Sequence, residues 1–141
     1  CKMRAVSTRR WHRCTVETAN FDTSVTSKLT IWQWQQTGMK VPVGTNITSC
    51  DPLINPCWQL VQADPLGRGV TVWDASTNVC ATGPCGGAPT SQNASLVFNV
   101  DFRPDGSSTG GTVFITEPSR NRSYRVVVYK ATGASYARNS W

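Results

Sequence analysis

The sequence predicts an α+β domain, because a short helical opening is followed by a series of strands. Residues 2–10 (KMRAVSTRR) are basic and compatible with the last turns of a helix. The remaining chain alternates polar with apolar residues in short runs that end at Gly, Pro or Asp-Gly, which is typical of β-strands and turns. No helix-length pattern lies between these runs, and this excludes a parallel sheet with crossover helices.

The alternation is clearest in residues 28–35 (KLTIWQWQ), where Thr30, Trp32 and Trp34 share one face. A polar turn is expected over residues 20–26. The predicted strands cover residues 12–18, 28–35, 58–61, 69–73, 96–102, 112–116 and 124–130. Tight turns separate the last three strands, so we expect them to form a C-terminal antiparallel meander. Residues 134–141 are expected to be a flexible tail.

The length of the chain predicts one domain, and its basic side chains are concentrated towards both ends. The chain has 141 residues and a net charge of +6, and roughly 100–200 residues make one domain, so residues 1–141 are predicted to be a single domain. Residues 1–40 carry seven basic and two acidic side chains, and residues 117–141 carry five basic and one acidic side chain. Basic ends of this kind attract polyanions.

Six cysteines in a chain of this length indicate disulfides and an oxidising compartment. The loops between Cys50 and Cys57 and between Cys80 and Cys85 contain prolines that favour turns, so these local pairs and disulfide-stapled loops are predicted. Cys1 has three interpretations: it pairs with Cys14, it is an acylated first residue, or it marks a cut end. A zinc site is not expected, because the sequence has no C-x2-C spacing and a single histidine.

The last third of the chain contains a specific order of motifs. Phe102 opens the run F-R-P-D-G-S-S-T-G-G-T, and Y-R-V-V-V from Tyr124 is followed by Thr132 and Gly133. Over residues 98–133 this resembles minor pilins and pseudopilins of the GspH/FimT type, in which an F-x-P-x-G-x-S-x-G-G-T turn precedes an R-R-V-V-V strand and a Gly-Arg turn. Residues 63–72 and 4–16 resemble, more weakly, an earlier strand of that family and the end of its long helix.

The resemblance implies a fold, a location and partners. It implies a pilin-like α+β head, in which the end of an N-terminal helix packs on antiparallel sheet. It also implies an apolar helix before Cys1, which anchors the precursor in the inner membrane and then joins the filament core. The implied partners are other major and minor pilins, and the implied location is the periplasm and the cell surface. The expected function is a subunit that assembles into, or caps, a type IV pilus or a related secretion filament.

A second hypothesis is a DNA receptor in natural transformation. In some FimT-like members, arginines in a G-R-x-R tail bind DNA; here Gly133 matches, but Ala134 stands at the first arginine position. Basic side chains near this tail can contact phosphates of double-stranded DNA without reading its sequence. The candidate nucleic-acid-binding residues are Arg120, Arg122, Arg125, Lys130 and Arg138.

No enzyme, metal or cofactor is expected. The run from Arg103 to Gly111 lacks the Gly-Lys-Ser/Thr ending of a phosphate loop and is predicted to be a hairpin turn. His12 and Cys14 share a strand face, but a disulfide at Cys14 would remove the nucleophile. Asp51, Asp64 and Asp105 stand beside Pro or Gly, where turn formation explains them. A third class, a secreted disulfide-rich lectin or inhibitor, depends only on the numbers of cysteines, tryptophans and Asn-x-Ser/Thr sites.

Overall fold

One short helix and eight strands make up the part of the chain that the structure describes. The structure is a computed structural model, and it describes residues 1–21, 24–35, 58–67, 69–81, 89–117 and 120–139. The helix is α1 (Lys2–Thr8). The strands are β1 (His12–Phe21), β2 (Ser24–Trp34), β3 (Trp58–Pro65), β4 (Thr71–Ser76), β5 (Val97–Phe102), β6 (Gly111–Glu117), β7 (Arg122–Val128) and β8 (Ser135–Asn139).

The predicted α+β class is wrong, because the described chain is mostly β. Its helix has seven residues and ends where Arg9 adopts a left-handed backbone with φ 54°. The polar residues 20–26, expected to form a turn, belong largely to β1 and β2, which pair from His12 with Gln33 to Phe21 with Ser24. Thr and Val recur through this hairpin and favour extended backbone. The long hairpin therefore dominates this half of the molecule, and the expected α+β pilin-like architecture is wrong for the described chain.

The strands form two antiparallel sheets of four. The first sheet has the order β3-β2-β1-β5, and the second has the order β4-β6-β7-β8. The predicted meander of residues 96–130 is therefore wrong in one strand: β5 pairs with β1, and the meander consists of β6, β7 and β8. Ser135–Asn139, within the expected flexible tail, forms the edge strand β8.

The change of sheet after β5 depends on two glycines. Gly110 and Gly111 have φ values of 70° and 143°, which side-chain-bearing residues rarely adopt. A Cβ on Gly111 would lie 2.6 Å from Cζ of Phe98 and 2.8 Å from the carbonyl oxygen of Ser76. The backbone at Gly111 is therefore pressed against β5 and β4, and this contact carries the chain from the first sheet into the second.

The hydrophobic core lies between the inner faces of the two sheets. The first sheet contributes Phe98, Val100 and Phe102 of β5 to the core, because every second residue of a strand points to the same face. The second sheet contributes Val72, Val113 and Val128. Ala5 of α1 packs at one end of the core and is fully buried. Burying large apolar side chains of this kind stabilises a fold by roughly 1.5–3 kcal/mol each.

A disulfide between Cys1 and Cys14 holds α1 to β1, with the Cα atoms 6.1 Å apart. Of the three interpretations of Cys1, pairing with Cys14 is the one present in the structure. Cys80 is also disulfide-bonded; its predicted partner Cys85, and both members of the predicted pair of Cys50 with Cys57, lie outside the described residues. No helix in the described ranges has the length and apolar character needed to cross a bilayer.

Candidate functional site

The five basic residues predicted to bind nucleic acid do not converge on one site. Arg120 and Arg122 stand at the start of β7, whereas Lys130 follows its end. A strand of seven residues is about 23 Å long, so these two positions are far apart. Arg125 and Arg138 face one another across β7 and β8, on the face of the second sheet that points away from the core.

The five residues also differ in their availability to a ligand. Arg125 is buried, with 9% of its surface exposed. Arg120 donates to the carboxylate of Glu117 at 3.2 Å. Arg122, Lys130 and Arg138 are exposed. Three of the five predicted residues can therefore contact a polyanion. Arg122 and Lys130 lie at opposite ends of β7, and Arg138 lies on the edge strand β8.

A polar groove adjoins Arg122 at the open end of the second sheet. It has a volume of about 500 Å³ and is lined by Asn121, Arg122, Ser123, Tyr124 and Asn139. The turn before β7 depends on the left-handed backbone of Asn121, with φ 48°. A hydrogen bond to the Tyr124 side chain raises the pKa of the Arg122 guanidinium. Amide, hydroxyl and guanidinium donors in one groove can hold an oxyanion.

An ionic and aromatic cluster lies on the outer face of the first sheet. Arg13 donates from Nε and Nη2 to both carboxylate oxygens of Asp101, at 2.6 and 2.9 Å. Its guanidinium also lies 4.6 Å from the ring centre of Trp58, and Trp58 packs edge-on against Trp34 with centroids 5.3 Å apart. All of these side chains are largely buried, so the cluster orders this face of the sheet.

Sequence reasoning missed the Arg13–Asp101 pair because 88 positions separate its members. Arg13 alternates with His12 and Cys14 along β1, and nothing local distinguishes it from a solvent-facing arginine. The prediction that Trp32 and Trp34 share a face of β2 is confirmed by the pairing of Trp32 with Leu60 and Trp34 with Trp58. Trp34 is 3% exposed, and Trp32 is half-buried, with its Nε1 donating to Thr30 Oγ1 at 3.0 Å.

The turn after β5 is a tight turn and does not resemble a phosphate loop, but the predicted hairpin is wrong, because β5 and β6 belong to different sheets. The Gly106 N–H donates to the Arg103 carbonyl at 2.9 Å, and the Arg103 N–H donates to the Ser107 carbonyl at 2.8 Å. The Asp105 carboxylate accepts from the hydroxyl and N–H of Ser107, and these hydrogen bonds lower its pKa. The backbone amides are therefore used within the turn, and Asp105 stabilises the turn.

His12 and Cys14 do not form a nucleophilic pair, because the Cys14 sulfur is in the disulfide with Cys1. His12 is 1% exposed, and its Nδ1 donates to the Arg10 carbonyl at 3.2 Å. Burial lowers the His12 pKa, and nearby positive charges, Arg4 among them, lower it further. The described ranges contain no group of three or more His, Cys, Asp or Glu side chains placed to hold a metal ion.

Comparison with known proteins found no match: no family model, no curated protein and no solved structure matches this chain.

Proposed function

We propose that this chain is a predominantly β domain of a minor pilin or pseudopilin, a subunit that assembles into or caps a type IV pilus or a related filament. The observation that carries the proposal is a contact between the two motifs on which the resemblance depends. The turn around Gly106 and the turn at Gly133 meet directly: a Cβ on Gly133 would overlap the Gly106 carbonyl oxygen and crowd Phe102. Gly133 itself has φ 58°.

This contact supports the proposal because the two motifs are distant in sequence and have no separate reason to occur together. Phe102 ends β5, Gly106 shapes the next turn, and Gly133 shapes the turn that returns the chain into β8. The residues that look like a family signature therefore form one corner of this molecule. Such a corner is architectural, and it is the kind of feature that members of one structural family share.

The surface of α1 is consistent with a role in assembly. Met3 is 78% exposed and Val6 is 44% exposed, whereas Ala5 between them is buried. The Cys1–Cys14 disulfide holds this helix in place on β1. Exposed apolar side chains on a fixed helix are a suitable contact for a neighbouring subunit.

The proposal is tested in the full-length protein in its native host. Deletion of the gene is expected to reduce the number of surface filaments, or the secretion that depends on them, and the wild-type protein is expected to co-purify with sheared filaments. Complementation with M3D/V6D is expected to fail, whereas V97D should restore assembly, because Val97 is also an exposed apolar residue, at 62%, but lies on β5. Normal filaments and secretion in the deletion strain would reject the proposal.

A second candidate function, binding of double-stranded DNA, is favoured by one observation, the groove beside Arg122. We propose that a phosphate of the duplex occupies this groove, with Arg138 on the neighbouring edge strand as a second contact. Such binding would be independent of sequence and would weaken steeply with salt. Replacing Arg122 by Gln is expected to lower the affinity and to reduce the slope of log K against log salt by about 1.

Arg120 is the matched control for this experiment, because it stands two positions away and is already paired with Glu117. R120Q should therefore change the affinity less than R122Q, in fluorescence anisotropy with a labelled duplex at about 20 and 200 mM salt. Equal losses in the two variants would indicate a general charge effect and would count against the groove. A failure to bind at low salt would reject DNA binding altogether.

A further inference from the structure

An apolar cleft opens between the two sheets beside the start of α1. Its volume is about 480 Å³. Val16 and Leu29 of the first sheet form one wall, Val126 and Val128 of the second sheet form the opposite wall, and Lys2 and Met3 of α1 stand at its margin. Packed interiors leave few voids larger than a water molecule, so a space of this size between two inner faces requires an explanation.

The walls of the cleft are fixed in position. The disulfide of Cys1 with Cys14 lines it and holds the first residue of the chain against β1. Val128 belongs to the buried core, and Cys14 and Val16 pack against that core. Because both walls are continuous with the core, the cleft is a preformed feature, as ligand pockets in proteins usually are.

The charge at the margin indicates what the cleft would hold. Lys2 is the charged residue among the described lining positions, and it is half-buried. It takes part in none of the ion pairs that the described part of the chain forms. A half-buried lysine that is outside these ion pairs and borders an apolar space is complementary to a molecule with an anionic head and an apolar chain.

We propose that this cleft binds a single-chain anionic amphiphile, with its alkyl chain between Val16, Leu29, Val126 and Val128 and its head group at Lys2. The volume lies in the range of small-molecule sites, roughly 300–1,000 Å³. A stable contact with another protein buries about 800 Å² on each partner, which is far more surface than a cleft of this kind offers. The proposal does not depend on the filament or DNA functions.

The first test uses three probes on the unmodified chain. Dodecanoate has the anionic head and the chain, dodecyltrimethylammonium has the same chain with a cationic head, and butanoate has the head without the chain. By isothermal titration calorimetry below the micellar concentration, dodecanoate is expected to bind in a 1:1 ratio. The cationic probe is expected to bind about tenfold more weakly or not at all, because its charge opposes Lys2. Equal binding of the two long-chain probes would overturn the assignment of the head-group site.

The second test uses variants of the walls and the margin. V126F narrows the cleft and is expected to reduce dodecanoate affinity at least about tenfold, whereas V97F, on the opposite face of the first sheet, should leave it unchanged. K2Q is expected to weaken binding about three- to fivefold, and K28Q, whose lysine already pairs with Glu17, should not weaken it. If V126F has no effect on binding, the ligand is elsewhere and the proposal is wrong.

A third measurement excludes a second copy of the chain as the occupant. Light scattering with size-exclusion chromatography should show the same mass for the wild-type protein with and without dodecanoate. If the free protein is a dimer that V126F disrupts, and dodecanoate does not bind, the cleft is an interface between copies and the proposal is overturned. Perturbation of the Val126 and Val128 methyl NMR signals on titration with dodecanoate would place the chain between the sheets.

Discussion

Replacing Gly111 by alanine is expected to destabilise the fold strongly, because it would both strain the backbone and crowd neighbouring atoms. The backbone has φ 143°, which alanine rarely adopts, and this conformational cost is about 1–2 kcal/mol. The new Cβ would lie 2.6 Å from Phe98 Cζ and 2.8 Å from the Ser76 carbonyl oxygen, so these atoms must move by several tenths of an ångström. Overpacking of a core costs typically about 1–3 kcal/mol. The expected loss is therefore about 2–5 kcal/mol.

Alanine substitutions at two other glycines distinguish the cost of backbone strain from the cost of crowding. Gly106 has φ 84°, but a Cβ there would meet only Val6 and Lys2 side-chain atoms, at 3.5 and 3.6 Å, so G106A should show the conformational cost of about 1–2 kcal/mol alone. Gly67 has no atom within 4 Å of such a Cβ and no positive φ, so G67A should be neutral or stabilise by up to about 1 kcal/mol. The expected order of stability is G67A, then G106A, then G111A.

Chemical denaturation of the three variants measures this order, and thermal unfolding should show shifts of about 3–4 °C per kcal/mol for a chain of this length. Equal unfolding midpoints for G106A and G111A would show that the contact of Gly111 with Phe98 and Ser76 does not constrain the fold. A destabilised G67A would show that the loss comes from substituting any glycine. Either result would refute the argument that the turn after β5 is held by close packing against both sheets.

The remaining predictions concern the ionic cluster, the disulfide and the buried histidine. D101N removes the carboxylate that accepts two hydrogen bonds from the buried Arg13 guanidinium and is expected to lower the free energy of unfolding by about 3–5 kcal/mol in urea denaturation; a loss below about 1 kcal/mol would contradict this. The C1S/C14S variant should lose about 3 kcal/mol, because the disulfide closes a short loop of the unfolded chain, and an unchanged midpoint would count against that constraint. Burial lowers the pKa of His12 in the folded state, so the unfolded state binds more protons, and stability that is complete above about pH 6.5 falls as the pH drops. H12N should remove a slope of up to about 1.4 kcal/mol per pH unit between pH 7 and 5, and parallel pH profiles of the two proteins would refute it.

The nucleic-acid hypothesis illustrates the difference between charge in a sequence and charge on a surface. Five basic residues between Arg120 and Arg138 look like one cluster when they are read along the chain. In the structure they are distributed over two ends and both faces of a sheet, and Arg125 is buried. Strand periodicity causes this separation, since residues at odd spacing point to opposite faces. What remains is a narrower proposal centred on Arg122 and its groove.

The wrong fold class has a comparable cause. The helix predicted over residues 2–10 is present as Lys2–Thr8, so the error lies in the strand content of the rest of the chain. The polarity of residues 20–26 predicts a turn, although the threonines and valine in this segment are strong strand formers. Long pairing of β1 with β2 extends both strands through this polar stretch. Tertiary pairing therefore outweighed the local composition.

Local chemistry predicted a flexible tail where β8 lies, but it was sufficient to place β5, β6 and β7, the tight turn over Arg103–Ser108, and the shared face of Trp32 and Trp34. Each of these depends on residues within a few positions of one another, where alternation, proline and glycine act directly on the backbone. The sequence did not reveal that β5 joins β1, that Arg13 binds Asp101, or that a cleft remains beside Lys2. Those features depend on contacts between distant parts of the chain, whose energies are realised only when the two sheets pack together.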